Sequence, residues 1–493
     1  MILLRLLIIF ICASASIQNV IVVSGPGLEP EDVIMPARYF SINFTFINEN
    51  TYTPDLAKLL STEIKGKSKL KPNCRIWTNR LDRKDGTFIV RYKVYETCYD
   101  LEINIYYKNK HVNGSPFQYK GPVHSDQCDC PQENIETWLK EYGCPSSYPS
   151  IENDLEHFHN VDMNQDIKKI IKKYHQPEST SFCHYIIKDN KIYRDCYGKH
   201  VGFNMFSDNV LLFLTRLMKM PDMELVINLG DWPLVKKGSE LLPIFSWCGS
   251  NDTMDIVMPT YDITESTLEN MGRVSLDILS VQGGVERSWS KREPRAIWRG
   301  RDSRAERLKL VDIAREHPHL FNVSLTNFFF FREKEAQYGP KQPHISFFKF
   351  FDYKYQINID GTVAAYRFPY LLAGGGLVLK QDSPFYEHFY SRTEPWKHYV
   401  PVKRDLSDLI DRLDWALEND GTAQEIAKNA RIFANENLLP QHVICYHAVL
   451  FYEWSKKINN KIRVGKDMTH IPQPKFSCDC QRTKQTDKNH EEL

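Results

Sequence analysis

The spacing of apolar residues divides the chain into two parts near residue 150. Before that point, short runs alternate between apolar and polar residues, as in FIVRYKV at Phe88–Val94 and LEINIY at Leu101–Tyr106. A period of two is typical of strands with one buried face, and Asp85-Gly86 supplies a hairpin turn before the first of these strands. Several such strands in Ile21–Tyr119 predict a β-sandwich of about 100 residues.

From Ile151 onwards, longer apolar runs and amphipathic stretches replace the short alternating strands, which predicts an α/β domain. A buried strand is predicted within ELVINLGD at Glu224–Asp231, and another ends at Ile297-Trp298, where Gly300 is expected to break it. Helices are predicted at Asp162–Tyr174, at Ser207–Met220 with Ser207 or Asp208 as the cap, within Asp408–Glu436, and at Leu439–Lys456.

The stretch Tyr353–Lys380 predicts one strand–helix–strand unit of a parallel sheet. Thr362 is the expected N-cap of a helix over Val363–Leu372, which Gly374–Gly376 ends before the next strand. Backbone N–H groups at a helix start attract phosphate, and Arg367 lies little more than a turn further along. An ordinary crossover with a solvated arginine fits the same pattern equally well.

A second basic group lies at Arg295–Arg307, with Asp302 or Ser303 as the expected cap of a helix. Four of its arginines fall within nine residues at this strand–helix junction, namely Arg299, Arg301, Arg304 and Arg307. Guanidinium groups can bind a diphosphate through bidentate contacts, although a charge run is more commonly a solvated face. The chain has no Walker A loop, no GxGxxG fingerprint and no obvious DxD pair. A nucleotide sugar bound without metal needs arginines and helix N-termini to meet its phosphate charges, and this segment supplies both.

Asp231 follows a buried strand at its C-terminal end, where open α/β sheets place their chemistry. An aspartate before an aromatic residue and a proline, as in Asp231-Trp232-Pro233, is however common in loops. Position alone therefore favours the turn.

Composition excludes some partners. The 63 Lys and Arg residues balance 62 Asp and Glu residues, leaving a formal charge of +1, which gives no support to nucleic acid or an anionic membrane as the partner. With 493 residues, 42% of them hydrophobic, the chain is long enough for two to four folded domains.

Both ends of the chain carry targeting patterns. Arg5, the apolar run Leu6–Ile11 and the small residues Ala13–Ala15 have the layout of a cleaved signal peptide at 1–15, with an N-terminal anchor as the alternative. No other stretch is apolar for long enough to insert into a membrane. The polar tail 465–493, expected to be flexible, ends in HEEL, a variant of the KDEL retrieval signal. We therefore expect residence in the endoplasmic reticulum lumen and binding to a KDEL-type retrieval receptor.

Cysteine usage fits that compartment. Of 12 cysteines, Cys12 leaves with the signal peptide, and the odd remainder implies a free thiol or an intermolecular pair. No zinc spacing occurs, so disulfides are favoured, with these candidates: Cys74, Cys98, Cys128, Cys130, Cys144, Cys183 and Cys196. Candidate N-glycosylation sites are Asn43, Asn113, Asn251 and Asn322.

The first part of the chain resembles a filamin-type immunoglobulin-like repeat over residues 21–125. The matching blocks, in that family's order, are GPGLEPEDVIMPARYFSI at Gly25–Ile42, DGTFIVRYKV at Asp85–Val94 and GSPF at Gly114–Phe117. The module carries no catalytic pattern, so a role in interaction or support is expected. Residues 126–150 form a Cys-containing connector.

The second part, residues 151–464, resembles the CAP10/Rumi-type protein O-glucosyltransferases, in particular the KDEL-motif-containing members with a filamin-type repeat. The matching blocks are MELVINLGDWPL at Met223–Leu234, AIWRGRDSRAERLKL at Ala296–Leu310, KYQINIDGTVAAYRFPYLL at Lys354–Leu372 and EPWKHYVPVKRDLSDL at Glu394–Leu409. The resemblance implies a GT-B glycosyltransferase with two Rossmann-like lobes and a last helix that crosses back to the first lobe.

The resemblance also implies roles. Asp231 matches the family's catalytic base. The family's enzymes transfer glucose from UDP-glucose to a serine of EGF-like repeats and invert the anomeric centre of the sugar. No cofactor or metal is implied. The implied donor-binding residues are Arg299, Arg301, Ser303, Arg304, Gly361, Thr362, Val363, Ala364, Ala365 and Arg367. A UDP-xylose donor and a non-catalytic, client-binding protein of the same compartment are the alternatives.

Two further expectations follow from the resemblance. Cys445 matches a family cysteine that pairs with one in the cluster Cys128, Cys130 and Cys144. A disulfide that flanks the donor loop in smaller relatives is expected to be absent, since Phe351 and Gly374 occupy the nearest positions.

The aromatic runs Phe328–Phe331 and Phe347–Phe351 are interpreted as buried core.

Overall fold

The computed structural model describes residues 20–48, 51–69, 71–176, 178–179, 181–269, 277–476, 478 and 480. The predicted signal peptide and the HEEL ending lie outside the described residues. Within them, the chain forms an N-terminal β-sandwich followed by an α/β domain built on two larger sheets.

The N-terminal module is the predicted sandwich. Its elements are β1 (Ile21–Ser24), β2 (Arg38–Phe44), α1 (Asp55–Leu59), β3 (Leu60–Lys67), β4 (Ile76–Asp82), β5 (Thr87–Val94), β6 (Tyr99–Tyr107), β7 (Lys110–His111) and β8 (Phe117–Tyr119). One antiparallel sheet has the order β1-β2-β5-β4, and the other joins β3, β6 and β7, with β8 also paired to β6. Phe40, Ile42 and Phe44 lie at every second position of β2 and are fully buried between the sheets, as the period of two requires.

The first sheet of the α/β domain is mixed. Its strands include β9 (Phe182–Lys188), β10 (Lys191–Tyr197), β11 (Met223–Asn228), β12 (Phe245–Ser246) and β14 (Ile256–Val257). β11, β12 and β14 are parallel, whereas β9 is antiparallel to both β10 and β11. Asp189 and Asn190, both at positive φ, form a two-residue turn that allows only an antiparallel pair. This sheet therefore departs from the Rossmann-like pattern expected for the first lobe.

The second sheet is parallel throughout. It has the order β16-β15-β17-β18-β20, with β15 (Glu293–Arg301), β16 (Phe321–Asn327), β17 (Tyr353–Asn358), β18 (Leu377–Gln381) and β20 (Val400–Val402). A separate ribbon pairs β13 (Gly249–Ser250) with β19 (Phe385–Tyr386) and so joins the segments that carry the two sheets. The GT-B architecture itself stays a prediction.

Helices cover both sheets. They are α2 (Ile135–Glu141), α3 (Pro149–Leu155), α4 (Met163–Tyr174), α5 (Asn204–Leu217), α6 (Tyr261–Leu268), α7 (Ile278–Gly284), α8 (Ala305–Glu316), α9 (Glu335–Tyr338), α10 (Phe368–Ala373), α11 (Leu409–Glu418), α12 (Asp420–Asn437) and α13 (Pro440–Ser455). The last helix packs on the first sheet, where Trp454 Nε1 donates to the Glu224 carbonyl at 2.8 Å. No described helix is both long and apolar enough to cross a membrane.

The predicted cap of α5 is wrong. The helix begins at Asn204, and Ser207 is fully buried within it. Asp208 does not cap the helix; its carboxylate accepts the Tyr185 hydroxyl at 2.8 Å and pairs with Arg194. The start predicted from cap residues alone, Ser207, is therefore three residues later than the observed start at Asn204.

The sandwich is attached to the α/β domain through buried charges. Arg91 of β5 pairs with Asp277 at 3.2 Å, and both side chains are at most 3% exposed. Lys93 pairs with Asp126 at 3.1 Å, and Asp85 pairs with Arg431 at 2.6 Å. Removing one partner of such a buried pair would leave an uncompensated buried charge, so these contacts join the module to the rest of the molecule.

Five disulfides join described residues. They are Cys74–Cys98, Cys128–Cys478, Cys130–Cys480, Cys144–Cys445 and Cys183–Cys196. Cys248 is the one free thiol in the described ranges, and it is buried. The tail is not wholly flexible, because β21 (Thr469–Ile471) pairs with β10 at the edge of the first sheet.

The ring of Phe351 fills the space beside Gly374. A Cβ atom built on Gly374 would lie 1.9 Å from the Phe351 ring, closer than any real contact. At the positions where smaller relatives are expected to carry a disulfide, this chain therefore packs the ring of Phe351 against Gly374.

We expect Gly374→Ala to destabilise the protein by roughly 1–3 kcal/mol, because the added methyl group forces the buried Phe351 ring to move. Chemical denaturation measures the change. Gly421→Ala is the matched control, since nothing lies within 4 Å of its added Cβ and alanine favours the helix α12. Equal stability of the two variants would contradict the packing argument.

Candidate active site

The carboxyl ends of parallel strands from both sheets meet at one cleft of about 290 Å³. Asp231 follows β11, the turn before α6 follows β14, Arg301 ends β15, and Gly361 follows β17. The residues that line the cleft are Asp231, Tyr261, Asp262, Arg301, Ser303, Arg307, Gly361, Thr362, Val363, Ala364, Ala365, Tyr366 and Arg367. Most of the predicted catalytic and donor-binding residues are thus brought together.

Buried side chains hold the turn that presents Asp231. The Asn228 amide donates to the Trp232 carbonyl at 2.7 Å and accepts from the Gly230 N–H at 2.9 Å. The buried Asp255 carboxylate accepts the N–H groups of Leu234 and Val235, each at 2.8 Å. These bonds hold the backbone on both sides of Asp231.

Burial raises the pKa of the Asp231 carboxyl above its usual value, and the charge of Arg301 opposes the shift. The Cys248 thiol lies behind this residue and donates to its carbonyl at 3.5 Å. A carboxylate that is partly desolvated is a stronger proton acceptor than one in water. Asp231 is therefore the candidate general base among the residues that line the cleft.

The cleft concentrates positive charge. Burial, together with the neighbouring charges of Arg367, Arg301 and Arg304, lowers the pKa of the Arg307 guanidinium to about 9. Burial lowers the pKa of Arg367 to about 10, while the Asp262 carboxylate opposes this shift. Both groups stay charged near neutral pH, and an anion in the cleft would relieve their mutual repulsion.

The loop at 361–367 is not the predicted helix. α10 begins only at Phe368, with Arg367 as its N-cap residue, and Thr362 caps nothing. Arg304 donates to the carbonyls of Gly361 at 2.6 Å and Thr362 at 2.8 Å, which holds this backbone in an open loop. Because Arg304, the N-cap residue of α8, occupies these two carbonyls, they are satisfied without helical hydrogen bonds.

Two predicted donor-binding arginines do not line the cleft. Arg299 donates to the carbonyl and side chain of Asn322 on β16, at 2.7 and 2.6 Å, so its guanidinium is occupied by the neighbouring strand. Only its backbone carbonyl approaches the site, where it accepts from Arg367 at 2.7 Å. Arg304 is used by the loop carbonyls and so positions the loop.

The break predicted at Gly300 is also wrong. β15 continues to Arg301, with a shift of register between Gly300 and Arg301. Asp302 does not cap α8; its buried carboxylate accepts backbone N–H groups from residues 329–331 instead. A bulge of this kind re-aims the side chain that follows it, which places Arg301 in the cleft while Arg299 faces the next strand.

The predicted set omitted four residues of the cleft: Tyr261, Asp262, Arg307 and Tyr366. Burial raises the pKa of Asp262 to about 6, although a hydrogen bond from Tyr370 and the charge of Arg367 lower it. Its signal in the sequence was an acidic residue in the first turn of α6, the helix that follows the short buried strand β14. Arg307 belonged to the arginine cluster, but spacing could not show that it faced inward.

The candidate glycosylation sites differ in exposure. Asn43, Asn113 and Asn251 are exposed, whereas the amide of Asn322 is bound by Arg299 and Tyr353. The single cluster of metal-binding side chains among the described residues is His124, Cys128 and Cys130, and both cysteines are in disulfides. None of the three lines the cleft.

Comparison with known proteins defines the class of the chain as a glycosyltransferase fused to a filamin repeat. Residues 140–492 match the model of glycosyl transferase family 90, and residues 15–118 match the Filamin/ABP280 repeat. The chain belongs to glycosyl transferase family 90.

Similar proteins extend over almost the whole chain. Protein O-glucosyltransferase 2 of Danio rerio is 47% identical and covers 94% of this chain and 93% of its own. Protein O-glucosyltransferase 3 of Homo sapiens is 45% identical, with coverage of 93% and 92%. Protein O-glucosyltransferase 1 of Homo sapiens is 29% identical over 71% of this chain and 90% of its own.

Proposed function

We propose that the protein transfers glucose from UDP-glucose to a serine of EGF-like repeats in the lumen of the endoplasmic reticulum. The observation that carries the proposal is the cleft, where Asp231 stands with Arg301, Arg307 and Arg367. Relatives named protein O-glucosyltransferases over nine tenths of the chain support glucose and a protein as the two substrates. The predicted signal peptide and HEEL ending support the compartment and a KDEL-type receptor as a partner.

The chemistry follows from the charges. Asp231 takes the proton of the serine hydroxyl as the serine oxygen bonds to C1 of glucose. The bond from C1 to the phosphate oxygen breaks, and UDP leaves with that electron pair. Attack from the face opposite UDP inverts C1, giving a β-linked glucoside from the α-linked donor. Arg301, Arg307 and Arg367 stabilise the negative charge that grows on UDP.

We infer a GT-B architecture and a metal-independent donor site. The parallel sheet β16-β15-β17-β18-β20 supplies one lobe and the arginines, and the mixed sheet supplies Asp231. Cationic side chains can carry the charge of the diphosphate that other sites give to a metal ion.

A direct assay tests the function. The full chain is incubated with a folded EGF-like repeat and UDP-glucose or UDP-xylose, with and without EDTA, beside an Asp231→Asn variant. We expect glucose transfer that EDTA leaves unchanged and that the variant loses.

Other outcomes would select the alternatives. Transfer of xylose alone would identify a xylosyltransferase. If the wild type and Asp231→Asn are equally inactive with every UDP-sugar tried while the repeat still binds, the protein is a client-binding protein.

A further inference from the structure

Two phenyl rings next to the cleft are exposed. Phe329 is 51% exposed and Phe330 is 54% exposed, while Phe328 of the same run is buried. The interpretation of this run as core is therefore wrong for two of its members. Adjacent exposed aromatic side chains are uncommon on soluble proteins unless they contact something.

The turn that carries the rings is held rigidly. Asp302 is fully buried, and its carboxylate accepts the backbone N–H of Phe329 at 2.7 Å, Phe330 at 3.0 Å and Phe331 at 2.6 Å. Three bonds to one buried carboxylate fix the backbone of the turn. The rings consequently stay outside instead of folding back onto the core.

The position of this turn links it to the reaction site. Asp302 stands between Arg301 and Ser303, which both line the cleft. The Arg301 guanidinium lies 6.0 Å from the centre of the Phe329 ring. A shift of the turn would therefore move the cleft residues as well, and a molecule resting on the rings lies beside the cleft.

A third exposed aromatic ring lies at the strand end that carries Asp231. Trp232 is 47% exposed and immediately follows Asp231. The Arg304 guanidinium lies 5.8 Å from the Trp232 ring centre, within reach of a cation–π contact. Exposed aromatic rings thus lie next to Asp231 on one side of the site and next to the cleft arginine Arg301 on the other.

We propose that Phe329 and Phe330, with Trp232, form the surface that holds the folded acceptor protein by burying an apolar side chain of it. The inference rests on the proposed function. The occupant is the acceptor because its hydroxyl must reach Asp231, and a protein seated on these rings presents its surface to the mouth of the cleft. Exposed aromatic anchors of this kind carry much of the binding energy at protein interfaces.

The test uses Phe329→Ala/Phe330→Ala in the full chain with a folded EGF-like repeat. We expect the KM for the repeat to rise about tenfold or more. The KM for UDP-glucose and the slow hydrolysis of UDP-glucose without acceptor stay unchanged, because no cleft residue is altered. Phe329→Leu/Phe330→Leu should recover much of the affinity, since it keeps the apolar surface.

The matched control is Ile432→Ala on α12, which removes a side chain that is 42% exposed and does not line the cleft. An unchanged KM for the repeat in the Phe variant would overturn the proposal, as would an equal loss of donor hydrolysis. A change of oligomeric mass with an unchanged KM would assign the surface to a second copy of the chain. Failure of the proposed function is distinguishable, because the wild type itself would then transfer no sugar.

Discussion

Asp231→Asn should lower the rate of glucose transfer by about 10²- to 10⁴-fold, the contribution of a positioned general base. The amide keeps the size of the carboxylate but cannot accept the serine proton. UDP-glucose binding should persist, because the arginines of the cleft are untouched. Transfer kinetics and donor binding by calorimetry measure the two effects separately.

The second cleft carboxylate provides the control for this prediction. Asp262 also lines the site, and Asp262→Asn should retain far more activity than Asp231→Asn if Asp231 is the base. The reverse order would assign the proton transfer to Asp262. Such a result would reject the role proposed for Asp231 while leaving the cleft as the active site.

The pH dependence gives an independent measure. A base acts only when deprotonated, and burial raises the pKa of Asp231. Lowering the pH should therefore reduce activity. The midpoint of this acidic limb should lie at a higher pH than the ordinary aspartate pKa of about 3.9. Arg301→Gln should move this limb to still higher pH, because it removes the charge that opposes the shift.

Arg91→Met should destabilise the protein by about 3–5 kcal/mol, because it leaves the carboxylate of Asp277 buried without its cation. Asp277 also caps α7 by accepting the Ser280 N–H at 2.8 Å. Asp277→Asn retains an oxygen for this cap. In the double variant neither charge remains, so its loss of stability should be much smaller than the sum of the two single losses.

Denaturation of the four proteins gives the coupling energy. Lys58→Ala serves as the control, since it breaks an ion pair that is 77% and 76% exposed and should change nothing measurable. Additive losses in the cycle would show that the sandwich does not depend on this pair. Because α7 packs on α10, whose N-cap is Arg367, we also expect weaker UDP-glucose binding in Arg91→Met.

Sequence patterns predicted what depends on neighbouring residues. The alternation in Phe88–Val94 identified β5, and Asp162 before an amphipathic run identified the start of α4, where its carboxylate caps the Asn164 N–H. Failures occurred where a distant group decided the outcome. Thr362 looks like a helix cap, but Arg304 holds its carbonyl in a loop.

The residues of the cleft could be predicted from the sequence only in part, for the same reason. Arg299 and Arg301 are two residues apart and would share a face of a regular strand, yet a bulge between Gly300 and Arg301 separates them. Asp262 comes from the first turn of α6, more than a hundred residues before Arg367 in the chain, so spacing could not connect the two. The exposed rings of Phe329 and Phe330 depend on a carboxylate 27 residues earlier in the chain.

The β-sandwich, the α/β class of the part that follows it, the family and the aspartate at the end of β11 were determined by the sequence alone, since each is written in contiguous residues. Only the tertiary structure decided which arginines face the cleft, which aromatic rings stay outside, and how firmly the sandwich is attached. These features arise from hydrogen bonds and ion pairs between residues far apart in the chain, whose partners become neighbours only when the sheets assemble.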